Sequence, residues 1–460
     1  MKTHHKMAFL AGLIIISGLL PVYVAGQNKN WEWIKPIYSK SANAGYSIVA
    51  DDAGNTFVAG SFSDTLYVAG KQLISKGVTD IFIAAFSPKG EVKWLKQAGG
   101  TDADEAYGIR LDNQGNVYAT GYFSGIVDFS GYIIRSPGNR NFFVAKYKGN
   151  GDFVWIRSGQ VENEDFTNFI CTDNSGNVFV SGVFHGTIYM GTKAYKSRDH
   201  KDLFFAKFNT DGDLQWMKTG GGDEKDRISA IHTDDDGSLY ITGSFEKVLV
   251  FDKMLVESSG KRDIFLAKFT PEGHVDWLRK GGSATGDDYS TAIEVDQTEN
   301  IYITGYFSGL AYFDGKQLKS AGSDDIFLVK YDSMGNVIWS RQAGGQGNEH
   351  ARSLIMDTFG DVYLAGEFDH SFSFAKKNVV RSGDWDVFVL RYSQDGEMMG
   401  SSQVDGTGFK RANSLAIDKT GNVYLLGYFI QQASFGNILY TSPGPQGGGF
   451  IAKIPHFPAN

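Results

Sequence analysis

Hydrophobic and polar residues alternate along this chain in short runs, and the body of the sequence shows no helical period. Val117 to Phe123, which reads VYATGYF, has apolar residues at alternate positions, the pattern of a half-buried strand. Turn residues separate the runs, as in the NQGN segment that begins at Asn113. The 57 glycines against 9 prolines agree with many tight turns between short strands. The pattern predicts an all-β protein.

One segment, Asn300 to Phe307, reads NIYITGYF and recurs in recognisable form seven times. Its closing Gly-x-Phe places the glycine at Gly60, Gly121, Gly182, Gly243, Gly305, Gly366 and Gly427. Successive glycines are 61 or 62 residues apart, a regularity that duplication of one structural unit explains.

Each copy contains four strand signals, which the second copy illustrates. We predict strands over 107–112, 117–123, 141–147 and 152–157, with a small hairpin between the second and the third. Four antiparallel strands repeated radially are typical of a β-propeller blade. Seven copies therefore predict a seven-bladed β-propeller of four-stranded antiparallel blades, which forms a single domain over residues 27–460.

The two ends of the chain complement each other. The outermost predicted strand carries a tryptophan with the same period, at Trp33, Trp94, Trp155, Trp216, Trp277 and Trp339. Residues 29–35 match the end of a repeat that has no beginning, whereas the last copy ends at 450–454 without an outermost strand. Because an open array would leave unpaired edges, residues 29–35 are predicted to complete the last blade and close the ring.

The sixth copy breaks the tryptophan pattern, because it has Met398, Met399 and Gly400 where a tryptophan is expected. The phenylalanine of the second strand and the tryptophan of the outermost strand are predicted to bury large apolar areas between blades. The sixth blade is therefore expected to be the least tightly packed.

Charge and the N-terminus suggest where the protein acts. The formal net charge of −8 and the pI near 5.6 are unfavourable for nucleic acid or an anionic membrane as partner. Residues 1–26 combine a short basic head, an apolar run and small residues before Gln27, which predicts a secretory signal peptide. An N-terminal membrane anchor is the alternative, and no other stretch is apolar enough to span a membrane. The mature chain is expected outside the cytoplasm.

The repeat resembles a known family in its best-matching copy, residues 289–345. The residues that carry the resemblance are Asp296, Asn300, Tyr302, Gly305, Phe307, Asp325, Phe327, Lys330, Trp339, Gly344 and Gly345. They are similar to the bacterial extracellular β-propeller repeats known as SBBP repeats, and the likeness extends over about residues 29–454. The resemblance implies a secreted or surface-exposed repeat protein, as often found in Bacteroidetes, and it assigns no activity.

Two columns of polar residues recur around the first strand of each copy. Seven aspartates end that strand, at Asp51, Asp112, Asp173, Asp234, Asp296, Asp357 and Asp418. A calcium loop is conceivable, but an aspartate that opens a hairpin turn accepts backbone N–H groups and needs no ion, which we favour. Eight residues earlier stand Asn43, Asp104, Asp165, Asp226, Asp288, Glu349 and Lys410. These could form a ring at one mouth of the central channel that binds a cation, a cationic ligand or a sugar; we favour the alternative that each carboxylate caps its own loop.

Packing of the repeat does not dictate the residue at positions that vary among the copies. These positions are therefore better candidates for a binding patch than the positions that recur in every copy. They include Tyr107, Arg227, Tyr289, His350 and Arg352, side chains suited to stacking on and hydrogen-bonding sugars or peptides.

Signatures of catalysis are absent from the sequence. It contains no G-x-S-x-G elbow, phosphate loop, HExxH or Cys/His cluster, so no catalytic residue, cofactor or metal ligand is assigned. The sequence therefore predicts a secreted or surface-exposed binding or scaffold protein, whose partner at the channel mouth is a glycan, a peptide or an extracellular protein. The alternative is an extracellular carbohydrate-active hydrolase or lyase that uses carboxylates at the mouth, and a third possibility is a structural spacer.

Overall fold

The computed structural model describes residues 22–23, 31–39, 43–136, 140–162, 165–198, 201–222, 224–374, 377–442 and 444–457. Within these ranges the regular secondary structure consists of β-strands. No helix in the described part of the chain is long and apolar enough to cross a membrane. Most of the predicted signal peptide lies outside the described residues; its Val22–Tyr23 pairs with Ile438 and Leu439. The prediction of an all-β chain is confirmed.

The strands pair into four-stranded antiparallel units that follow the repeat. Unit 1 consists of Asn43–Ala50, Thr56–Phe62, Asp80–Phe86 and Val92–Gly99. Unit 2 consists of Glu105–Leu111, Val117–Phe123, Asn141–Tyr147 and Phe153–Ser158. Unit 3 consists of Asp165–Thr172, Val178–Phe184, Asp202–Phe208 and Leu214–Gly220. Unit 4 consists of Arg227–Thr233, Leu239–Phe251, Met254–Phe269 and Val275–Ser283. Unit 5 consists of Tyr289–Val295, Ile301–Phe313, Lys316–Tyr331 and Val337–Ala343. Unit 6 consists of Glu349–Met356, Val362–Phe368, Asp386–Tyr392 and Met398–Val404. Unit 7 consists of Lys410–Ile417, Val423–Phe429, Gly448–Ile454 and Trp33–Ser39.

The last unit takes its outer strand from the beginning of the chain. Trp33 lies opposite Lys453 and Ile37 opposite Gly449 in an antiparallel register. Residues 33–35 of the predicted segment 29–35 lie in this strand, which continues to Ser39, while residues 29 and 30 lie outside the described ranges. One buried apolar cluster includes Ile37 and Ile48 together with Leu426 and Ile451, so the first and last units share a core.

The recurring glycine has a steric cause. The pairing of the first and second strands shifts register beside this glycine, as it does at Thr120 and Gly121. A Cβ on Gly121 would lie 1.9 Å from the carbonyl oxygen of Glu105, and one on Gly305 would lie 1.9 Å from that of Tyr289. Real Cβ atoms do not approach a backbone atom so closely, so the bulge requires glycine in this strand.

The excursions form hairpins, and several of these hairpins pair with a strand of the neighbouring unit. In units 4 and 5 the hairpin is formed by the ends of the long second and third strands. In the other units it has two short strands of its own: Thr65–Val68 and Lys71–Ile74, Ile126–Phe129 and Tyr132–Arg135, Thr187–Met190 and Lys193–Lys196, Phe372–Phe374 and Lys377–Val379, and Gln432–Phe435 and Ile438–Thr441. The strand Ile126–Phe129 pairs with the outer strand of unit 1, where Asp128 lies opposite Gly99. Val68 likewise lies opposite Ile37, and Tyr189 opposite Gln160 of the short strand Gln160–Val161. The hairpins of units 1, 2 and 5 therefore extend the sheet of the unit before them.

The outer-strand tryptophans connect successive units, as predicted. Each donates its indole N–H to a carbonyl oxygen in the last turn of the next unit: Trp33 to Pro88, Trp94 to Gly149, Trp155 to Thr210, Trp216 to Pro271, Trp277 to Ser333 and Trp339 to Gln394, at 2.9–3.2 Å. Each ring also packs against an aromatic residue of its own unit, as Trp339 does on Tyr302. The tryptophan thus combines apolar burial with a directed hydrogen bond.

Unit 6 fills its missing tryptophan position from the end of the chain. Gly400 lies opposite Arg391 in the outer strand, where the other units have tryptophan. Phe457 instead packs edge-on against Tyr363, with 5.5 Å between ring centroids, and is 4% exposed. The gap expected from the sequence of the sixth copy is therefore occupied by the C-terminal tail.

Candidate functional site

The first strands of all seven units contribute to one central cavity. It has a volume of about 130 Å³, and its wall includes Tyr46, Tyr107, Phe169, Ser229, Thr291, Arg352 and Asn413, one residue from each unit. A second cavity of about 200 Å³ lies against it and shares Tyr46, Phe169, Ser229, Thr291, Arg352 and Asn413. Its further lining residues include Arg227, Tyr289, Tyr306 and Arg411. We call this second space the mouth cavity.

The acidic column does not line the mouth cavity. Asp104, Asp226, Asp288 and Glu349 are buried and accept backbone N–H groups of the loops that precede them: from Gly100 at 2.9 Å, Gly222 at 2.7 Å, Ser283 at 2.6 Å and Gly345 at 2.8 Å. Asp104 also accepts the N–H of Ser124 at 3.0 Å, on the turn that follows the second strand. The side chains of Asn43 and Asp165 lie outside the described structure. This geometry favours the loop-capping interpretation of the column.

Burial also changes the acidity of these carboxyl groups. Burial raises the pKa of Asp104, Asp226 and Glu349 to about 7 and that of Asp288 to about 6. The hydrogen bonds from backbone N–H groups act in the opposite direction and lower each pKa, but burial has the larger effect. A neighbouring carboxyl group on the third strand of the preceding unit raises each pKa further; these groups are Asp80, Asp202, Asp325 and Asp263, respectively. The carboxyl pairs therefore lie at the junctions between units.

These raised pKa values predict an unusual dependence of stability on pH. An unfolded Asp or Glu ionises near pH 4, while the folded groups keep their protons until about pH 6 to 7. Between those limits the folded state binds more protons, so the free energy of unfolding falls as the pH rises. Urea denaturation at pH 5 and at pH 8 is expected to give the higher stability at pH 5. Glu349→Gln removes one of these titrating groups, so it should reduce the difference in stability between pH 5 and pH 8. An unchanged difference would contradict the raised pKa of Glu349.

The strand-ending aspartates adopt the predicted turn-capping role. Asp112 Oδ1 accepts the N–H groups of Gln114 and Asn116 at 3.0 and 2.9 Å, and its Oδ2 accepts Asn116 Nδ2 and the hydroxyl of Tyr118. The same arrangement recurs at Asp418. Hydrogen bonds within the turn therefore account for this column. No group of three or more His, Cys, Asp or Glu side chains that could hold a metal occurs among the described residues.

The variable positions divide between the two cavities and the structure behind them. Arg227, Tyr289 and Arg352 line the mouth cavity, and Tyr107 lines the narrow cavity below it. His350 packs behind Tyr306 at 4.1 Å between ring centroids. Its Nε2 lies 3.0 Å from Asp324 Oδ2, so its ring is held against the wall by an acidic partner.

Hydrogen bonds orient the aromatic and basic side chains. Tyr107 and Tyr46 both donate to Glu105 Oε2, at 2.8 and 3.3 Å. Burial, followed by the Glu105 carboxylate, raises the pKa of Tyr46 to about 12 and also raises that of Tyr107, so both phenols stay protonated donors. Arg352 Nε donates to Glu367 Oε1 at 2.7 Å, and Glu367 is 2% exposed. This pair fixes the guanidinium of Arg352 in the cavity wall.

Tyr306 and Glu367 belong to the site although the sequence analysis did not single them out. Both occupy the middle position of Gly-x-Phe, on the second strand. That position is not uniform, and the copies carry Ser61, Tyr122, Val183, Ser244, Tyr306, Glu367 and Tyr428. The same variability that identified candidates on the first strand would have identified this column.

A groove of about 500 Å³ adjoins the mouth cavity at units 3 and 4. Phe169 and Arg227 line both spaces. The groove is further lined by Val183, His185, Lys201, Glu224, Lys225 and Asp226. A ligand larger than the mouth cavity could therefore continue past Arg227 into this groove.

Comparisons with known proteins agree with the repeat. The family model of the SBBP beta-propeller repeat matches residues 93–122. An uncharacterised WD repeat-containing protein of Acanthamoeba polyphaga mimivirus is 23% identical over 89% of this chain, which spans 37% of that protein's length. These two matches support a propeller-repeat family.

The solved structures that match this chain include the following two. The Neurospora crassa Pan2 WD40 domain matches with a TM-score of 0.47 and 8% identity, covering 91% of each chain. An ulvan lyase from a new family of polysaccharide lyases matches with a TM-score of 0.45 and 11% identity, covering 91% of this chain and 96% of its own.

Proposed function

We propose that this chain forms a closed β-propeller of seven blades, in which the strand Trp33–Ser39 completes the last blade. Support comes from the pairing of this strand with Gly448–Ile454 and from the hydrogen bond of Trp33 to Pro88 in unit 1. The innermost strands of the first and last units are also bonded, because Asn413 Nδ2 donates to the carbonyl oxygen of Gly45 at 2.8 Å. In this arrangement the strand Trp33–Ser39 covers the edge of Gly448–Ile454 that would otherwise stay open.

We further propose that residues 1–26 are a secretory signal peptide and that the mature chain, residues 27–460, acts outside the cytoplasm. The basic head, the apolar run and the small residues before Gln27 support this assignment. N-terminal sequencing of the protein recovered from its native host would find Gln27 first, whereas a protein that retained residues 1–26 would contradict it.

The function that the geometry supports best is binding of an extracellular ligand at the mouth cavity, with a glycan as the first choice over a peptide or protein. The observation that carries this proposal is the convergence on one cavity of side chains from positions that vary among the copies, namely Tyr46, Arg227, Tyr289, Tyr306 and Arg352. Packing of the repeat does not require these residue types, because several other copies have different ones at the same positions. Aromatic faces beside hydrogen-bond donors suit a polar ligand with flat apolar patches.

Glycan and protein arrays probed with the mature chain test this proposal. We expect selective binding without turnover, and we expect Tyr289→Ala or Arg227→Ala to weaken it. Lys419→Ala is a matched control, because Lys419 is largely exposed and follows the far end of a first strand. Retention of full binding by both cavity variants would contradict a ligand site at the mouth.

One observation favours an extracellular carbohydrate-active enzyme as a second candidate. Asp226 borders the groove, and burial raises its pKa to about 7, which is in the range of a general acid. Release of reducing sugar or of unsaturated sugar from polysaccharides, abolished by Asp226→Asn, would support this candidate. Asp288→Asn serves as the comparison, because Asp288 has a similarly raised pKa but does not line the groove.

A further inference from the structure

We propose that the ligand of the mouth cavity is an acidic oligosaccharide, whose carboxylate or sulfate groups are bound by Arg227 and Arg411. This inference rests on the proposed binding function and names the ligand class. It follows from the charge, the aromatic lining and the shape of the cavity.

The charge of the mouth cavity is opposite to that of the whole protein. Three arginines, Arg227, Arg352 and Arg411, are among its lining residues, and none of the described lining residues is Asp or Glu. The complete chain has a formal net charge of −8. A positive pocket in an acidic protein attracts anions locally while the rest of the surface repels them.

Two of the three arginines make no ion pair with a described residue, although the Glu367 carboxylate also acts on Arg411 from a distance. Arg352 is engaged by the buried carboxylate of Glu367. Arg227 and Arg411 are exposed, and neither guanidinium makes a hydrogen bond or an ion pair with another described residue. Burial of part of Arg411, followed by the like charge of Arg352, lowers the pKa of its guanidinium. An anion bound beside Arg411 would reduce the repulsion between the guanidinium groups of Arg352 and Arg411.

The rings around the arginines favour a sugar over an acidic peptide. Tyr289 and Tyr306 lie 5.0 Å apart with 30° between their planes, and Tyr46 lines the same space. Tyr289 is held by Arg262, whose guanidinium also lies over its ring, so its position is fixed before a ligand arrives. The parts of the Tyr289 and Tyr306 rings that line the cavity can contact the C–H groups of a pyranose, and each arginine can bind a carboxylate or a sulfate with two parallel hydrogen bonds.

The adjoining groove indicates a ligand of several sugar units. Arg227 lies between the two spaces, since it lines both. The groove adds Lys201 and Lys225, and its Glu224 is already paired with Lys247. A chain with one acidic group on successive units could therefore contact Arg411 at one end and the lysines at the other.

Calorimetric titration of the mature protein tests the inference with matched pairs of probes. The probes are tetramers of galacturonate, of mannuronate and of a glucuronate-containing glycan, each beside its carboxyl-reduced counterpart, together with a sulfated tetramer, its desulfated form and an oligoglutamate peptide. At least one acidic tetramer is expected to bind about 10- to 100-fold more tightly than its neutral counterpart, as charged hydrogen bonds imply. Arg227→Ala and Arg411→Ala should each remove most of that difference, whereas Lys419→Ala should not. The uronate and sulfate arms distinguish the source of the anion.

The outcomes separate this inference from the function on which it rests. Equal binding of acidic and neutral tetramers, both weakened by Tyr289→Ala, would overturn the acidic ligand and leave the binding function intact. Binding of oligoglutamate without any acidic tetramer would overturn the saccharide class. Binding of no saccharide or peptide, here and on the arrays, would overturn the proposed function as well.

Discussion

Replacing Lys410 with methionine is expected to destabilise the protein by about 3–5 kcal/mol, the cost of leaving a buried charge without its partner. Lys410 and Asp386 are both fully buried, and Nζ lies 2.9 Å from Asp386 Oδ1. The ammonium also donates to the carbonyl oxygens of Gly406 and Gly408, at 2.8 and 3.0 Å. Urea denaturation of Lys410→Met beside the wild type measures the loss.

The loop before Lys410 is built for this charge. Gly406 and Gly408 have φ values of +121° and +71°, which side chains disfavour, and their carbonyl groups point at the ammonium. In unit 6 the same loop instead points the N–H of Gly345 at a carboxylate, that of Glu349. The polarity of the backbone is thus reversed together with the sign of the side chain.

A double variant separates the loss of charge compensation from the loss of packing. In Lys410→Met with Asp386→Asn no net charge remains buried, and an asparagine oxygen can still accept from Ser382, as Asp386 Oδ2 does. The double variant is expected to recover most of the stability. If it is as unstable as the single variant, the ion pair is not the cause.

Phe457→Ala is expected to destabilise the protein by about 3 kcal/mol, the low end of the range for a buried phenylalanine, because one side of its site can relax. Phe457 occupies the space that a tryptophan fills in six other units, against Tyr363. Its loss would expose the junction of units 6 and 7, where the apolar cluster also contains Trp31 and Phe435. Thermal and urea denaturation monitor the effect.

Phe359→Ala is the matched control for this prediction. Phe359 is also a phenylalanine of unit 6, but it lies in a turn and is 82% exposed. Its truncation should change the free energy of unfolding by less than about 0.5 kcal/mol. A small effect of Phe457→Ala, equal to that of Phe359→Ala, would contradict the substitution of the tail for the missing tryptophan.

The repeat made the local structure predictable, because each strand signal is supported by the same signal in other copies. Alternation and turn residues identified the strands, and the unmatched Trp33 segment indicated where the outermost strand of the last copy would come from. The turn aspartates were predictable because their hydrogen bonds lie within a few residues along the chain.

Contacts between units were less accessible to sequence reasoning, because their partners are far apart in the chain. Some hairpins, such as those of units 1 and 2, extend the sheet of the preceding unit, which no periodicity of the sequence indicates. The position of Phe457 depends on a gap at Gly400, and nothing in the tail alone reveals that partnership. Tyr306 lines the mouth cavity from the second strand, where it lies opposite Tyr289 of the first strand, and this cross-strand partnership is not visible from either segment alone.

Closure of the ring by the N-terminal strand can be tested with an engineered disulfide between Ile34→Cys and Ala452→Cys in a protein whose Cys171 is replaced by serine. Ile34 and Ala452 are register partners in the proposed last blade. We expect mass spectrometry of the oxidised, folded protein to find the 34–452 link, and we expect the link to raise the melting temperature. The pair Ile34→Cys and Ala267→Cys, at the same place in unit 4, should not link. A protein that folds without the 34–452 link, or that links position 34 to position 267 instead, would contradict the closed ring.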